Sequence, residues 1–314
     1  MTNPRVSIVT PTLNQGRFIE HTIRSIKNQT CTDFEHIIVD GGSTDETLDI
    51  LRRHEGTYPM RWVSEPDRGM YDAVNKGMRQ ASGDILAYLN SDDLYFPWTI
   101  QVVVEAFRKH PDADAVFGDV LNVDDVTGQQ RLLLFPPFNL DYIRRTAYLA
   151  QPAVFWRRSL YEAVGPFDET LRYVADCDYW MRAGSVHRFR KVHEFLAVER
   201  DHQFTLRESD RDAVARELTG VRERYVSLSG PDHSRSERRN SLIARFWFRA
   251  LRGLLAVQLI VPRKVRRGPW ARLLSQQRPR IRLSQLLIQL VPRVGRIATD
   301  RIVGSDRYWL DRIG

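Results

Sequence analysis

Four times in its first 109 residues the chain repeats one arrangement: a short apolar run, a polar tip, and then a stretch with helical periodicity. "RVSIVTPTLN" (5–14) leads into "FIEHTIRSIKNQ" (18–29), whose apolar residues fall at 19, 23 and 26. "FEHIIVDGGSTDETLDILRRH" (34–54) carries the next strand, a Gly-rich turn and a helix that Ser43 or Thr44 can cap, with Asp45 and Glu46 in its first turn. "MRWVSEPD" (60–67) precedes the helical "GMYDAVNKGMRQAS" (69–82), and "DILAYLNSDD" (84–93) reads as a fourth strand. Strands alternating with helices at this spacing predict parallel β-α-β units with right-handed crossovers, hence an α/β fold around a mostly parallel sheet. Pro11 breaks the first run, which predicts a strand followed by a loop. Sheets of this kind bind ligands beyond the carboxyl ends of their strands. The polar residues collect at those ends: Thr10 to Asn14, Asp40 to Ser43, Glu65 to Arg68 and Asn90 to Asp93.

The next hundred residues predict a helix over 97–109, a strand over 114–123 and a hairpin partner in "RLLLFPP". Residues 151–184 read as strand, short helix, loop and helix, and 186–206 have strand character. From about residue 240 the composition changes. Arg245, Arg249 and Arg252 share one face of an apolar stretch, and 281–297 repeats the theme more weakly. Three arginines within such a span oppose a transmembrane helix, since each costs roughly 2.5 to 3.5 kcal/mol at its centre. A basic amphipathic helix lying on an anionic membrane surface fits better, with packing of the extension on the body as the alternative. The net charge of +8 divides accordingly. From Ser234 onward there are 19 Lys and Arg against 4 Asp and Glu, and before it 28 against 35. No nucleic-acid reader motif accompanies the basic residues, so nucleic acid is not expected as a partner. The expected organisation is a body over 1–232, with a nucleotide-binding half to about residue 98 and an acceptor-binding half over 99–232. A basic helical tail over 233–314 follows. Two cysteines, Cys31 and Cys177, offer neither a disulfide framework nor a metal cluster. The first residues show no signal peptide, so the expected location is cytoplasmic, peripheral on the inner face of the membrane.

Adjacent carboxylates at Asp92 and Asp93 are poor structural material unless a cation neutralises them, because like charges at close range raise each other's pKa. Mg²⁺ or Mn²⁺ takes one or two carboxylates and fills its remaining positions with water and substrate phosphates. The pair therefore reads as a metal and diphosphate site, although Asn-Ser-Asp-Asp is also a good turn. Asp40 ends another strand before Gly41 and Gly42, where the backbone leaves room for a ligand and the carboxylate can accept from a base or a ribose hydroxyl.

Four ordered segments carry a resemblance to a family: "VSIVTPTLNQGRFIEHTIRSIKNQT", "HIIVDGGSTDET", "EPDRGMYDAVNKGMRQASGDILAYLNSDD" and "QPAVFWRRSLYEAVGPFDETLRYVADCDYWMR". Together, over roughly residues 4–206, they resemble the family-2 inverting glycosyltransferases of the GT-A fold, and most of all the bacterial branch that builds cell-surface polysaccharides. The resemblance implies a Rossmann-like central sheet and a UDP-, GDP- or dTDP-linked sugar as donor. The implied acceptor is a glycan or lipid-linked glycan. It implies that Thr10, Pro11, Thr12 and Asp40 hold the base and ribose, with Asn14 and Gly41 also among the nucleotide-sugar contacts. Asp67, Arg68 and Asp72 would flank the nucleotide-sugar, with Asn75 and Lys76 behind them. Ser91, Asp92 and Asp93 occupy the DxD position, with Asn90 before them among the nucleotide-sugar contacts; Asp93 would ligate Mn²⁺ or Mg²⁺ and Asp92 would serve the metal, the ribose or the sugar. Asp176 matches the general base. Ala175 stands where the family usually writes Glu, which keeps Asp178 in play. Asp178 and Arg182 are four apart, however, a natural ion pair, and Asp176 falls on nearly the opposite side of a helix. His202 resembles a late histidine that serves the metal or diphosphate. Two rival readings stand beside this one, a sugar-phosphate nucleotidyltransferase and a catalytically silent membrane scaffold. The first lacks its Gly- and Arg-containing phosphate loop, and the second leaves the acidic pair and Asp176 without a purpose.

Overall fold

The computed structural model describes residues 6–135, 137–140, 143–144, 149–206, 210–226 and 297–300. The expected tail helices around 240–297 lie outside the described residues, apart from the short stretch that begins at Ile297.

The first half is the doubly wound sheet that the alternation predicts. Strands β1 (Val6–Thr12), β2 (Phe34–Asp40), β3 (Met60–Ser64) and β4 (Ile85–Tyr88) lie parallel in the order β3-β2-β1-β4. Every residue of β1, β2 and β4 is buried, as a sheet covered on both faces requires. Helices α1 (Gly16–Lys27) and α2 (Thr47–His54) share a small apolar core of Ile19, Ile23, Ile38, Ile50 and Leu51. Helix α3 (Met70–Gln80) packs on β1 and β2, so closely that a Cβ on Gly77 would stand 2.3 Å from Cγ1 of Val9. The chain passes from β1 to β2 and β3, then returns to place β4 on the far side of β1. That reversal creates a switch point between the tips of β1 and β4, where such sheets open a crevice.

Two local expectations are corrected. Pro11 does not end β1, because the strand runs through it, pairing Pro11 with Val39 and Thr12 with Asp40. The Val9 carbonyl accepts from Leu89 N at 2.9 Å, so by strand alternation the Pro11 nitrogen also faces β4. Pairing with β4 has ended by then, at Val9 and Tyr88, so no ladder bond is lost. The cap of α2 also differs. The helix begins at Thr47, whose N–H is held by the Asp45 carboxylate, and the residue directly before it, Glu46, makes no capping bond. Ser43 is drawn back to Asp40, and Thr44 to Asn14. Asp45 instead accepts from Gly16 N, at the start of α1.

The second half is mixed. Helix α4 (Thr99–Lys109) is followed by β6 (Ala115–Asp124), which pairs antiparallel with β7 (Gln130–Leu134) and β8 (Val154–Arg157) and parallel with the long β9 (Phe189–Asp201). Strand β8 joins β4, which fuses the halves into one sheet, and β9 also pairs with the two-residue β5 (Leu94–Tyr95). Helices α5 (Arg158–Val164) and α6 (Ala175–Ala183) follow β8. Helix α7 (Arg211–Val226), unforeseen in the sequence, packs on α6. Strand β10 (Ile297–Asp300) pairs antiparallel with β7 at the sheet edge. One apolar core runs from Val6 on β1 to Tyr225 on α7, so the nucleotide and acceptor halves expected from the sequence share their interior. Among the described residues no helix is long and apolar enough to cross a membrane.

Candidate active site

The crevice at the switch point is a cleft of about 1120 Å³. Its walls come from the tip of β1 (Pro11, Thr12), the start of α3 (Asp67 to Ala73), the turn after β4 (Asn90 to Asp93), the start of α6 (Asp176, Cys177) and the end of β9 (Glu199, Arg200).

The turn after β4 is held from behind by α1. Thr22 Oγ1 lies 2.8 Å from the carbonyls of both Ser91 and Asp93, Ser25 Oγ accepts from Tyr95 N, and the Gln29 amide bonds Phe96 and Ile100. Thr22, Ser25 and Gln29 recur at helical spacing beside the apolar stripe of α1, a polar periodicity that the apolar pattern hides. Asp93, 4% exposed, accepts from Arg200 N at 3.1 Å. Burial drives its carboxyl well above the usual carboxylate range, and the neighbouring Asp92 and Glu199 push it further. Asp92 faces His202, with Oδ2 and Nε2 3.1 Å apart.

Among the described residues no three His, Cys, Asp or Glu side chains form a cage that could hold a cation unaided. Mg²⁺ and Mn²⁺ do not need one, since one or two carboxylates with water and substrate phosphates suffice. Two adjacent carboxylates, one of them buried, fit that incomplete donor set.

Arg200 was not singled out by sequence reasoning. It is 3% exposed, stacks over Phe18 at 5.6 Å, and leaves Nε and Nη2 without a protein partner. Burial lowers its pKa, and Asp125, Asp93 and Asp92 oppose that shift. Thr12 Oγ1 and Asn90 Oδ1, also on the cleft wall, are likewise buried without partners. Such groups are costly to bury unless something else bonds them. The spacing Glu199-Arg200-Asp201-His202 alternates along β9, and that period was the available signal.

Asp176 and Asp178 are separated by the helix as their spacing requires. Asp176 lines the cleft, its carboxyl raised by burial, with the Tyr71 hydroxyl 3.3 Å from Oδ1. Asp178, 1% exposed, is enclosed by Arg182 Nε at 2.8 Å, Tyr225 Oη at 2.8 Å and Arg224 Nη1 at 3.3 Å.

The remaining expected residues divide in the same way. Asp67 lines the cleft with its carboxyl raised by burial, and it crowds Gly41 so tightly that a Cβ there would meet Oδ2 at 2.4 Å. Arg68 and Asp72 line it as an ion pair, and Arg68 also reaches Glu169. Lys76, bonded to Glu65 and the Pro66 carbonyl, stands behind them. Asn75 is a buried tie from α3 to the loop after α5, donating to the Phe167 carbonyl and accepting from Phe167 N. Asp40 is fully buried at the β2 tip. Its oxygens accept from Gly42 N, Ser43 N, Ser43 Oγ and Ser64 Oγ, so it shapes the turn and does not line the cleft. Thr10 bonds His36 in the interior. Asn14, at φ 53°, bridges the loops after β1 and β2 through Ser43 and Thr44.

A doubly wound sheet with a cleft of acidic side chains at its switch point defines an α/β protein whose charged residues gather where such sheets bind ligands. The family comparison is specific: residues 7–192 match the model for glycosyl transferase family 2, and the chain belongs to that family. It is a glycosyltransferase with the GT-A fold. A PGL/p-HBAD biosynthesis glycosyltransferase of Mycobacterium tuberculosis is 36% identical over 188 residues, 59% of this chain and 72% of the relative. Chondroitin synthase of Escherichia coli is 28% identical over 61% of this chain but only 28% of its own length. Among solved structures, Staphylococcus aureus TarS in complex with UDP-GlcNAc superposes with a TM-score of 0.58 at 19% identity, over 69% of this chain and 65% of that one. The mannosyltransferase PcManGT of Pyrobaculum calidifontis, in complex with GDP-Man and Mn²⁺, gives 0.57 at 22% identity, over 73% and 66%. These two likenesses bear on the fold.

Proposed function

We propose that this glycosyltransferase transfers a sugar from a nucleoside diphosphate donor to an acceptor hydroxyl in one displacement, inverting the anomeric carbon. The observation that carries the reading is the company in one cleft of three things: the Asp92–Asp93 pair, the unpartnered guanidinium of Arg200, and Asp176 at a helix start. The donor class draws on the two structural neighbours solved with nucleotide-sugars.

Asp176 takes the acceptor proton. Its raised pKa brings the carboxylate nearer to the acidity at which a general base works best. As the acceptor oxygen bonds to the anomeric carbon, the bond from that carbon to the diphosphate oxygen breaks and the electron pair leaves with the diphosphate. Arg200, with Nε and Nη2 buried and unpartnered in the protein, would supply N–H donors for that group. Asp92 and Asp93 would hold Mn²⁺ or Mg²⁺, which when bound neutralises charge on the departing diphosphate. We read His202 as the donor that orients Asp92, because both of its ring nitrogens are engaged.

For the acceptor we propose a lipid-linked glycan of cell-surface polysaccharide synthesis, in keeping with the branch that the motifs resemble. The basic tail would bring the cleft to an anionic membrane surface on the cytoplasmic side. Deleting residues 240–314 should release the protein from anionic liposomes in sedimentation; unchanged binding would refute the membrane role.

A thermal-shift screen of UDP-, GDP- and dTDP-sugars with and without Mn²⁺, followed by assay of nucleotide release, tests the main reading. One donor should stabilise the protein only with the cation and be turned over. Binding of none, with no release, would favour a silent scaffold, and pyrophosphate release from a nucleoside triphosphate would favour a nucleotidyltransferase.

A further inference from the structure

Helix α7 lies beyond residues 7–192, the span that matches the family, yet its side chains grip the segment that carries Asp176 at two points. The first is Glu217. Its Oε1 accepts from Arg172 N at 2.7 Å, and its Oε2 from Tyr173 N at 2.6 Å and Val174 N at 2.9 Å. Three consecutive amides thus converge on one carboxylate immediately before α6, of which Asp176 is the second residue. Hydrogen bonds to an ionised acceptor are roughly twice as strong as neutral ones. The second grip is on Asp178, which accepts from Tyr225 and Arg224 of α7 on the face of α6 turned away from the cleft. Among the apolar residues of α7, Val221 is buried, while Val214 and Leu218 reach the cleft wall.

From the other side the base-bearing turn is met by the Tyr71 hydroxyl, whose contacts to the Tyr173 carbonyl, Asp176 N and Asp176 Oδ1 are all long, at 3.3 to 3.4 Å. The residue before α6, Val174, offers no side-chain cap. Glu217 is not among the residues that line the cleft. We propose that Glu217 is a positioning residue for the reaction: it fixes the 172–174 backbone and thereby holds Asp176 at its place on the cleft wall. The inference rests on the reading of Asp176 as the base. A misplacement of about 1 Å in such a group can cost on the order of 10²-fold in rate.

Glu217→Gln keeps the size of the side chain but turns an N–H₂ group toward amides that need an acceptor. Nucleotide release from the best UDP-, GDP- or dTDP-sugar, with Mn²⁺ and water as the acceptor, should show kcat lowered by about 10- to 100-fold. The KM for the donor should stay within about twofold. Glu217→Asp, which retains the carboxylate, should recover part of the loss, and it carries the test if Glu217→Gln fails to fold by circular dichroism. In an Asp176→Asn background, Glu217→Gln should cost nothing further. Unchanged kcat in Glu217→Gln, a matching rise in KM, or a loss that persists undiminished in the Asp176→Asn background would overturn the assignment. An Asp176→Asn variant with the full rate would instead sink the base reading. A wild type that releases nucleotide from none of the donors would sink the donor reading.

Discussion

The Nε2 atom of His202 stands 3.1 Å from Oδ2 of Asp92, while Nδ1 of the same ring accepts from Phe204 N at 3.2 Å. A ring nitrogen that accepts carries no proton, so the imidazole hydrogen lies on Nε2 and is donated to Asp92. Stacking on Phe18, with ring centroids 4.2 Å apart, fixes the plane of the ring. His202 therefore presents no lone pair toward the acidic pair and serves to hold Asp92 in one orientation. A hydrogen bond to a charged group contributes about 1.5 to 3 kcal/mol, so His202→Ala should weaken Mn²⁺-dependent UDP binding by roughly 10-fold or more. Titration calorimetry that gave the wild-type affinity would remove His202 from the site.

Asp176 and Asp178 should fail differently. Asp176→Asn should lower turnover by about 10² to 10⁴-fold while leaving nucleotide affinity and melting temperature near wild type. Asp178→Ala strips three donors of a buried acceptor and should cost about 2 to 4 kcal/mol of stability. Urea unfolding of both variants beside rate measurements separates the roles; a stability loss for Asp176→Asn equal to that of Asp178→Ala would merge them.

The doubly wound half was legible because its signals are local: period, β-branching and polar tips all lie within one strand-helix unit. The same signals placed Asp176 and Asp178 on opposite sides of their helix, one facing the cleft and one an ion pair. What local patterns could not reveal were partners brought from afar. Asp40 looked like a ligand residue until Ser64, 24 positions on, and the Gly42-Ser43 turn took up its oxygens. Arg200 looked like one charge among many on an alternating strand, and only the fold encloses it beside Asp93. Helix α7 was missed because its apolar residues are sparse, and its role depends on Glu217 and Tyr225 meeting residues more than forty positions away.

His36 gives the doubly wound half an acid limit. It is fully buried, with Thr10 Oγ1 at 2.9 Å and the Tyr58 hydroxyl at 2.6 Å, and burial lowers its pKa to about 3. The unfolded chain takes up a proton near pH 6.5 and the folded chain does not. The stability contribution is therefore complete above about pH 6.5 and is lost progressively as the pH falls toward 3. At about 1.4 kcal/mol per pH unit, the loss from this group reaches about 2 kcal/mol by pH 5. His36→Gln keeps a hydrogen-bonding side chain without the titration. Its deficit relative to wild type should shrink by about that amount between pH 7 and pH 5 in urea melts, and an unchanged deficit would place the acid sensitivity elsewhere.

Arg200 yields the sharpest test of the donor reading, because its two unpartnered donors specify one part of a nucleotide. A guanidinium offers a fork that matches two phosphate oxygens, whereas an ammonium offers a point charge. Arg200→Ala should lower UDP or GDP affinity by about 10- to 100-fold, the loss of one to two hydrogen bonds to a charged group. Arg200→Lys should restore little of it, since the fork and the stacking on Phe18 both go. Affinity for the bare nucleoside, uridine or guanosine, should not change in either variant, because those ligands lack the group that Arg200 would bond. Titration of UDP beside uridine therefore distinguishes a phosphate contact from a general disturbance of the cleft. Parallel losses for both ligands would mean that Arg200 supports the fold around Asp93, and the diphosphate would then have to be held by other groups.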